Sequence, residues 1–275
     1  VLRRRQRQMC IRDSIYMKKV LIIGYGDIGR RLALMCPQHK FIGVSRSIPQ
    51  QQDNVEFIQL DWIKDSIHNL PKEQISTVVL IFKPTSSDIS GYQTGFLEAS
   101  HKIIDFLNHN IIFEKLIIVS STRVYGLSNG RNITESVMPA PDDDQGKIIL
   151  DFENFVLSES KVEPLILRPS GLYDEQKHWM KSYVEAFDGK KYPLRFNEAN
   201  MFSRDSLALI MTNYISNQES TKIYGPLICS EKAQRYSEIF FRICPEYSFE
   251  DFFISSTAIG KSFDSQKLLD SGLMG

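Results

Sequence analysis

Cysteine is scarce in this chain and follows no pattern. Cys10, Cys36, Cys229 and Cys244 form no C-x-x-C pair and share no metal-ligand spacing with a histidine. That spacing argues against a disulfide framework and a zinc site alike, and leaves free, mostly buried thiols in a reducing cytoplasm as the expectation. The five histidines, at 39, 68, 101, 109 and 178, form no H-x-x-H or H-x-x-x-H cluster either, so no metal is expected. No apolar run approaches the ~18 residues a membrane span needs. A basic stripe is also missing. The formal charge is zero, and the cationic excess sits in residues 1–16, where Arg3, Arg4, Arg5, Arg7 and Arg12 face only Asp13. Nucleic acid is therefore not an expected partner. Internal repeats and low-complexity segments are absent.

Residues 1–16 do not read as part of a fold. They are Arg/Gln-rich, lack apolar periodicity, and contain no apolar stretch of seven residues that would mark a signal peptide. They resemble translated vector read-through, with an arginine-rich transit peptide as the competing reading.

From Met17 the pattern changes. The apolar run Lys18–Ile23 is followed by Gly24-Tyr25-Gly26-Asp27-Ile28-Gly29, and then by Ile28, Leu32 and Met35 at helical spacing. A buried strand, a glycine turn and a helix N-terminus make a site for a dinucleotide pyrophosphate. The first glycine permits the turn, the second lets backbone approach phosphate, and the third lets helix pack close to strand. The free N–H groups and positive end of the helix then face the anion.

Strand and helix patterns alternate beyond it. Phe41–Ser45, Val55–Leu60, Thr77–Phe82, Leu116–Ser120 and Pro164–Arg168 read as strands. Helical stripes cover 95–108 and 145–157, the latter with Asp142, Asp143 and Asp144 at its N-terminal end, where acids suit the helix dipole. The order predicts an α/β fold with a doubly wound parallel sheet of Rossmann type. Beyond Gly171 the pattern loosens. Trp179, Tyr183 and Phe187 suggest a helix, Ser203 a cap for another, and Ile223-Tyr224 a last strand. The division expected is a Rossmann domain over 17–170, rejoined by 204–230, with a small substrate-side lid from 171–203 and 231–275.

The second strand ends in Ser45-Arg46-Ser47 rather than in an acid. An acid there holds the ribose 2′-OH of NAD and would repel a 2′-phosphate; Arg46, helped by Ser45 and Ser47, would pair with one. The preference expected is NADP over NAD.

Ser120-Ser121-Thr122-Arg123-Val124-Tyr125-Gly126 resembles the S-S-x-x-V-Y-G segment of extended short-chain dehydrogenases/reductases, the nucleoside-diphosphate-sugar epimerase/dehydratase group. Leu167–Tyr173 is similar to that group's L-R-x-x-x-x-Y segment, and Asn200–Ala208 to its N-x-I-H-V-D-D-L-A segment, with Ser203 at the histidine position. The resemblance implies further cofactor contacts: Asp61 and Trp62 at the adenine, Phe82, Lys83 and Pro84 along the ribose, Ser120 at the fifth strand's end, and Pro169, Ser170 and Gly171 beside the nicotinamide. It also implies a small-molecule substrate, with a nucleotide sugar as one candidate, and a homodimer through the two long helices.

The family's acid–base chemistry uses a Ser, a Tyr, and a Lys four residues after the Tyr. Ser121 matches the Ser. Aligning Glu153 with a later family Glu puts Gln145 at the Tyr and Ile149 at the Lys. This departure resembles an atypical subgroup that keeps the cofactor fold without the Tyr. Two functions remain open. One is an NADP(H)-dependent oxidoreductase or epimerase in which Ser121 polarises a substrate oxygen and Tyr125, Lys83 or a water chain replaces the acid. The other is a non-catalytic dinucleotide-binding module that reports cofactor state.

Overall fold

The computed structural model describes residues 17–47 and 50–275. The leader reading of residues 1–16, Cys10 included, lies outside them.

Seven parallel strands form one sheet, in the order Gly225–Cys229, Pro164–Pro169, Lys115–Val119, Thr77–Leu80, Lys19–Ile23, Lys40–Ser45 and Val55–Gln59 from one edge to the other. The first half runs β1 (Lys19–Ile23), α1 (Asp27–Met35), β2 (Lys40–Ser45), β3 (Val55–Gln59) and β4 (Thr77–Leu80). A helix begins at α2 (Ile89–Tyr92), passes through a π-helical turn over Gln93–Glu98 and continues as α3 (Ala99–Asn110). The second half adds β5 (Lys115–Val119), α4 (Asp144–Glu159) and β6 (Pro164–Pro169). Every residue of β4, β5 and β6 is buried. Their nearly unbroken apolar runs are what strands covered on both faces require. One apolar cluster joins α3, α4 and one sheet face; a second joins α1 and the other face. The chain is thus the doubly wound Rossmann sheet that the strand–helix alternation predicts.

The strand order reverses between β1 and β4. At such a point the connections leave to opposite faces of the sheet, and a crevice opens beyond the carboxyl ends of the strands.

The remaining elements are short: β7 (Gly171–Tyr173), α5 (Trp179–Glu185), β8 (Tyr192–Pro193), β9 (Glu198–Ala199), β10 (Met201–Ser203), the longer α6 (Arg204–Ser216), β11 (Gly225–Cys229), β12 (Gln234–Arg235), α7 (Tyr236–Ile243), α8 (Phe249–Phe252), β13 (Phe253–Ile254) and α9 (Gln266–Asp270). Helix α6 lies in the second cluster against α1. Met180, Ile239, Phe240, Phe249, Phe252 and Phe253 instead build a small cluster of their own. The last sheet strand starts at Gly225, not at Ile223-Tyr224 as expected. Ile223 N–H still bonds back to Ser220 in a 3-10 turn, and Gly225, at φ +76°, redirects the chain before Pro226. Cys36, Cys229 and Cys244 are free and buried. No helix among the described residues is long and apolar enough to cross a membrane.

Two lysines cap the C-terminal end of α6. Lys18 Nζ donates to Ile215 O at 2.7 Å. Lys115, only 2% exposed, donates to Tyr214 O at 2.8 Å, Asn217 O at 2.6 Å and Ser220 Oγ at 2.6 Å. Cations at that end complement the helix dipole and its unpaired carbonyls. Replacing Lys115 with Met removes the ammonium from Tyr214 O, Asn217 O and Ser220 Oγ and leaves the Ser220 hydroxyl, which reaches both carbonyls, as their remaining donor. We expect a loss of about 2 kcal/mol or more in urea unfolding; an unchanged midpoint would show that the ammonium does not hold the helix end.

Candidate functional site

The crevice beyond β1 and β4 is a cleft of about 640 Å³, within the range of cofactor pockets. Its floor is the turn after β1. Gly24 has φ +96°, and a Cβ there would stand far inside contact distance of the Ile81 carbonyl oxygen. Gly26 differs: the nearest atom to a Cβ built on it is Gly24 O at 4.0 Å, so a side chain would project into the cleft. A Cβ on Gly29 would meet the Tyr25 ring at 3.1 Å and Ile22 at 3.4 Å, where α1 lies close on β1. The three glycines therefore match the three roles of the dinucleotide motif. Gly26 is also the N-cap of α1 and offers no side chain to its first-turn amides. By contrast, Asp143 caps α4 and Ser203 caps α6. The open amides of α1 fit an anion arriving from the cleft.

Tyr25, between the glycines, holds the turn from beneath. Its ring lies on Gly43 and meets Phe57 edge-on at 5.2 Å, and its hydroxyl bonds to Gln52 Oε1. Burial pushes the phenol up to about 12. Gly43 has no room for a Cβ because the Tyr25 ring occupies it.

Ser45, Arg46 and Ser47 line one end of the cleft. Ser45 Oγ donates to Ser47 O at 2.5 Å, and Arg46 O accepts from Gln59 Nε2 at 3.1 Å, so the backbone is pinned. The Arg46 guanidinium has no ion pair among the described residues. Asp61 and Trp62 form the adjoining wall, with Asp61 Oδ1 accepting from Ile63 N at 3.1 Å. Trp62 faces Phe82 with ring centres 6.1 Å apart. Lys83 is exposed at the rim, and Pro84 lies under Gly95, which itself lines the cleft. Tyr25, Ile63, Ile81, Thr85 and Gly95 line the cleft beside the expected contacts, and two further lining residues come from other elements: Leu172 from β7 and Arg204 from α6. Both arrive from far along the chain. The only sequence signal for Arg204 was its place directly after a helix-capping serine. Pro169, Ser170 and Gly171, expected beside the nicotinamide, are not among the residues that line this cleft: Pro169 and Ser170 are buried and Gly171 is exposed.

The Ser121 region is built around a buried ion pair. Arg168, 5% exposed, donates through Nε to Glu153 Oε1 at 3.0 Å and through Nη2 to Oε2 at 2.5 Å. Ser120 Oγ donates to the same carboxylate. Arg168 Nη1 donates to the Tyr125 hydroxyl at 2.6 Å. Tyr125 is fully buried, and burial raises its phenol pKa against the pull of Arg168. The expectation that Tyr125 stands in for the missing acid is therefore corrected. Its hydroxyl completes the shell of a core guanidinium and has no access to the cleft. Ser120 is likewise committed to Glu153 rather than open to a cofactor.

Ser121 remains half-buried at the start of a 3-10 turn over Thr122–Val124, accepting from Arg123 N at 3.1 Å. Lys261, from the C-terminal region, donates to Thr122 O at 3.3 Å and to Tyr125 O, which holds this turn in place. At the head of α4, Gln145 Nε2 donates to Ser87 O at 2.6 Å. Ile149 is in the core, and Lys147 faces outward to Asp144 at 2.9 Å.

No protein-family model matches the chain, and no curated protein matches it in sequence. Solved structures do. A protein of Methylobacillus flagellatus assigned to the NAD-dependent epimerases/dehydratases aligns at 22% identity and TM-score 0.70 over 93% of this chain and 92% of its own. UDP-N-acetylglucosamine 4-epimerase of Bacillus cereus aligns at 19% identity and TM-score 0.70 over 92% of each chain. MoeE5, solved with UDP-glucuronic acid and NAD, aligns at 14% identity and TM-score 0.75 over 92% of each. This chain shares their fold along nearly its whole length.

The two leading glycines separate fold from ligand. Gly24→Ala introduces both a strained φ and a backbone collision, and we expect it to destabilise the protein by about 2 kcal/mol or more. Gly26→Val keeps the thermal midpoint near that of the parent but blocks nucleotide binding in a titration. Equal nucleotide affinity in Gly26→Val would remove the turn from the site.

Proposed function

We propose that the chain binds NADP(H) in the cleft and acts as an oxidoreductase or epimerase of the extended short-chain type on a small hydroxyl or carbonyl substrate. The observation that carries the reading is the uncapped N-terminus of α1, set on a glycine turn with nothing but the cleft in front of Gly26. A nucleotide sugar is the substrate class suggested by the fold's neighbours, among them structures solved with UDP-glucuronic acid and with UDP-N-acetylmuramic acid. A bound nicotinamide would supply reversible hydride exchange with a carbinol carbon.

The chain's own residues then have separate tasks. The α1 amides take the pyrophosphate. Trp62 and Phe82 offer apolar surface at the adenosine end, beside Asp61. Arg46 takes a 2′-phosphate, with the Ser45 and Ser47 hydroxyls beside it. The neighbours bind NAD, so preference for the phosphorylated cofactor rests on Arg46 alone. Ser121 orients the substrate oxygen. The proton passes through a group other than the family tyrosine, with Lys83, exposed at the rim, as a cationic candidate.

A second reading draws support from one place. Gln145, aligned with the family tyrosine, uses its amide to hold the Ser87 loop, and an amide is not a proton donor at neutral pH. A protein that binds the nucleotide without turning it over fits that observation.

Calorimetric titration with NADP+ and NAD+ tests the binding. We expect NADP+ to bind more tightly, and Arg46→Ala to erase about tenfold of that preference. A parent protein that favours NAD+ contradicts the role of Arg46. NADPH oxidation across a panel of carbonyl substrates tests the chemistry: turnover that Ser121→Ala abolishes supports the enzyme, and tight binding with no turnover supports the sensor.

A further inference from the structure

Charge is concentrated at one corner of the cleft, where α1 and α6 begin side by side. Asp27, the first residue of α1, carries its carboxylate at the helix end whose amides are open. Arg31 Nε donates to Asp27 Oδ2 at 3.0 Å, and Arg30 lies 3.6 Å from Oδ1. Arg31 is spent: its remaining nitrogens go to Asp205 at 2.5 Å and to Asp174. Arg204 is different. It lines the cleft, its side chain is 38% exposed, and its one ion pair among the described residues is a long contact, 3.3 Å, to Asp27 Oδ2. The amides at its own helix end are already served, since Ser203 Oγ accepts from Asp205 N and Ser206 N. Helix α6 therefore reaches the cleft through the Arg204 side chain and not through its backbone.

An anion at a helix N-terminus gains from the dipole and the open amides, whether it is a carboxylate or a phosphate. Asp27 already occupies part of that field. A diphosphate arriving beside it would meet like charge unless a cation moved between them. Arg31 cannot leave without breaking three pairs, whereas Arg204 can turn into the cleft by giving up one long contact.

We propose that Arg204 is the side-chain cation for the dinucleotide's pyrophosphate, shared in the free protein with Asp27, which acts as an internal competing anion. The inference rests on the dinucleotide reading above. It gives the ligand a second anchor, from a helix that follows directly on the β10 strand, about 180 residues from the glycine turn. Phosphate held by both helices ties the two parts of the chain together through charge-assisted hydrogen bonds.

The test uses the full chain and two probes: NADP+, which carries the pyrophosphate, and adenosine 2′-monophosphate, which does not. Thermal unfolding checks that each variant is folded. Arg204→Gln should weaken NADP+ about tenfold or more and leave adenosine 2′-monophosphate unchanged. Arg204→Lys should recover part of the loss, because it keeps the charge without the planar fork. Asp27→Asn should tighten NADP+ several-fold. Unchanged NADP+ affinity in Arg204→Gln, or an equal loss for both probes, overturns the assignment. Weaker NADP+ binding in Asp27→Asn overturns the competition. If the parent chain binds neither NADP+ nor NAD+, the dinucleotide reading itself falls, an outcome distinct from a parent that binds and an Arg204 variant that does not differ.

Discussion

The backbone of Gly24 runs against the carbonyl of Ile81 with no space between them for a Cβ. Everything at the candidate site follows from that approach. It brings the end of β1 against the end of β4 at the point where the sheet order reverses. It turns the chain sharply into α1, so that the helix begins within the crevice rather than beside it. It leaves Gly26 as the N-cap, with its amide neighbours facing the cleft. A side chain at Gly24 would push the two strand ends apart, and the helix end would no longer point where a diphosphate could reach it.

Around that turn, polar groups fall into two classes. Some are consumed by the fold. Arg168 and Glu153 neutralise each other in the core, and Ser120 and Tyr125 fill the hydrogen bonds that the pair leaves over. A buried ion pair tolerates its desolvation cost only when such extra bonds are present. Others are less fully engaged: Arg46 and Lys83 have no ion pair among the described residues, Arg204 has the one contact to Asp27, and Ser121 is half-buried with its oxygen accepting from Arg123 N. These groups suit binding phosphate better than they suit moving a proton.

Legibility in the sequence tracked how local each feature was. The glycine turn and its flanking strand and helix lie within one short stretch, and the apolar runs of β4, β5 and β6 declared their burial directly. The place of Arg46 on the cleft could be read because a strand end fixes which residues face the crevice. Tyr125 was misread because a V-Y-G segment does not reveal that Arg168, 43 residues on, comes to lie against its hydroxyl. Arg204 escaped notice because only the packing of α6 on α1 brings it to the turn. The last strand was placed two residues early because Gly225-Pro226 reads as a break, although it is the entry to β11.

Amide hydrogen exchange at Asp27 and Ile28 tests the central claim most directly, since these N–H groups are the ones the turn leaves open. With NADP+ present their exchange should slow by an order of magnitude or more, while buried amides of β5 stay as they were. Exchange at Asp27 and Ile28 that is indifferent to saturating nucleotide would mean that the turn holds no phosphate, and the functional account built on it would be wrong.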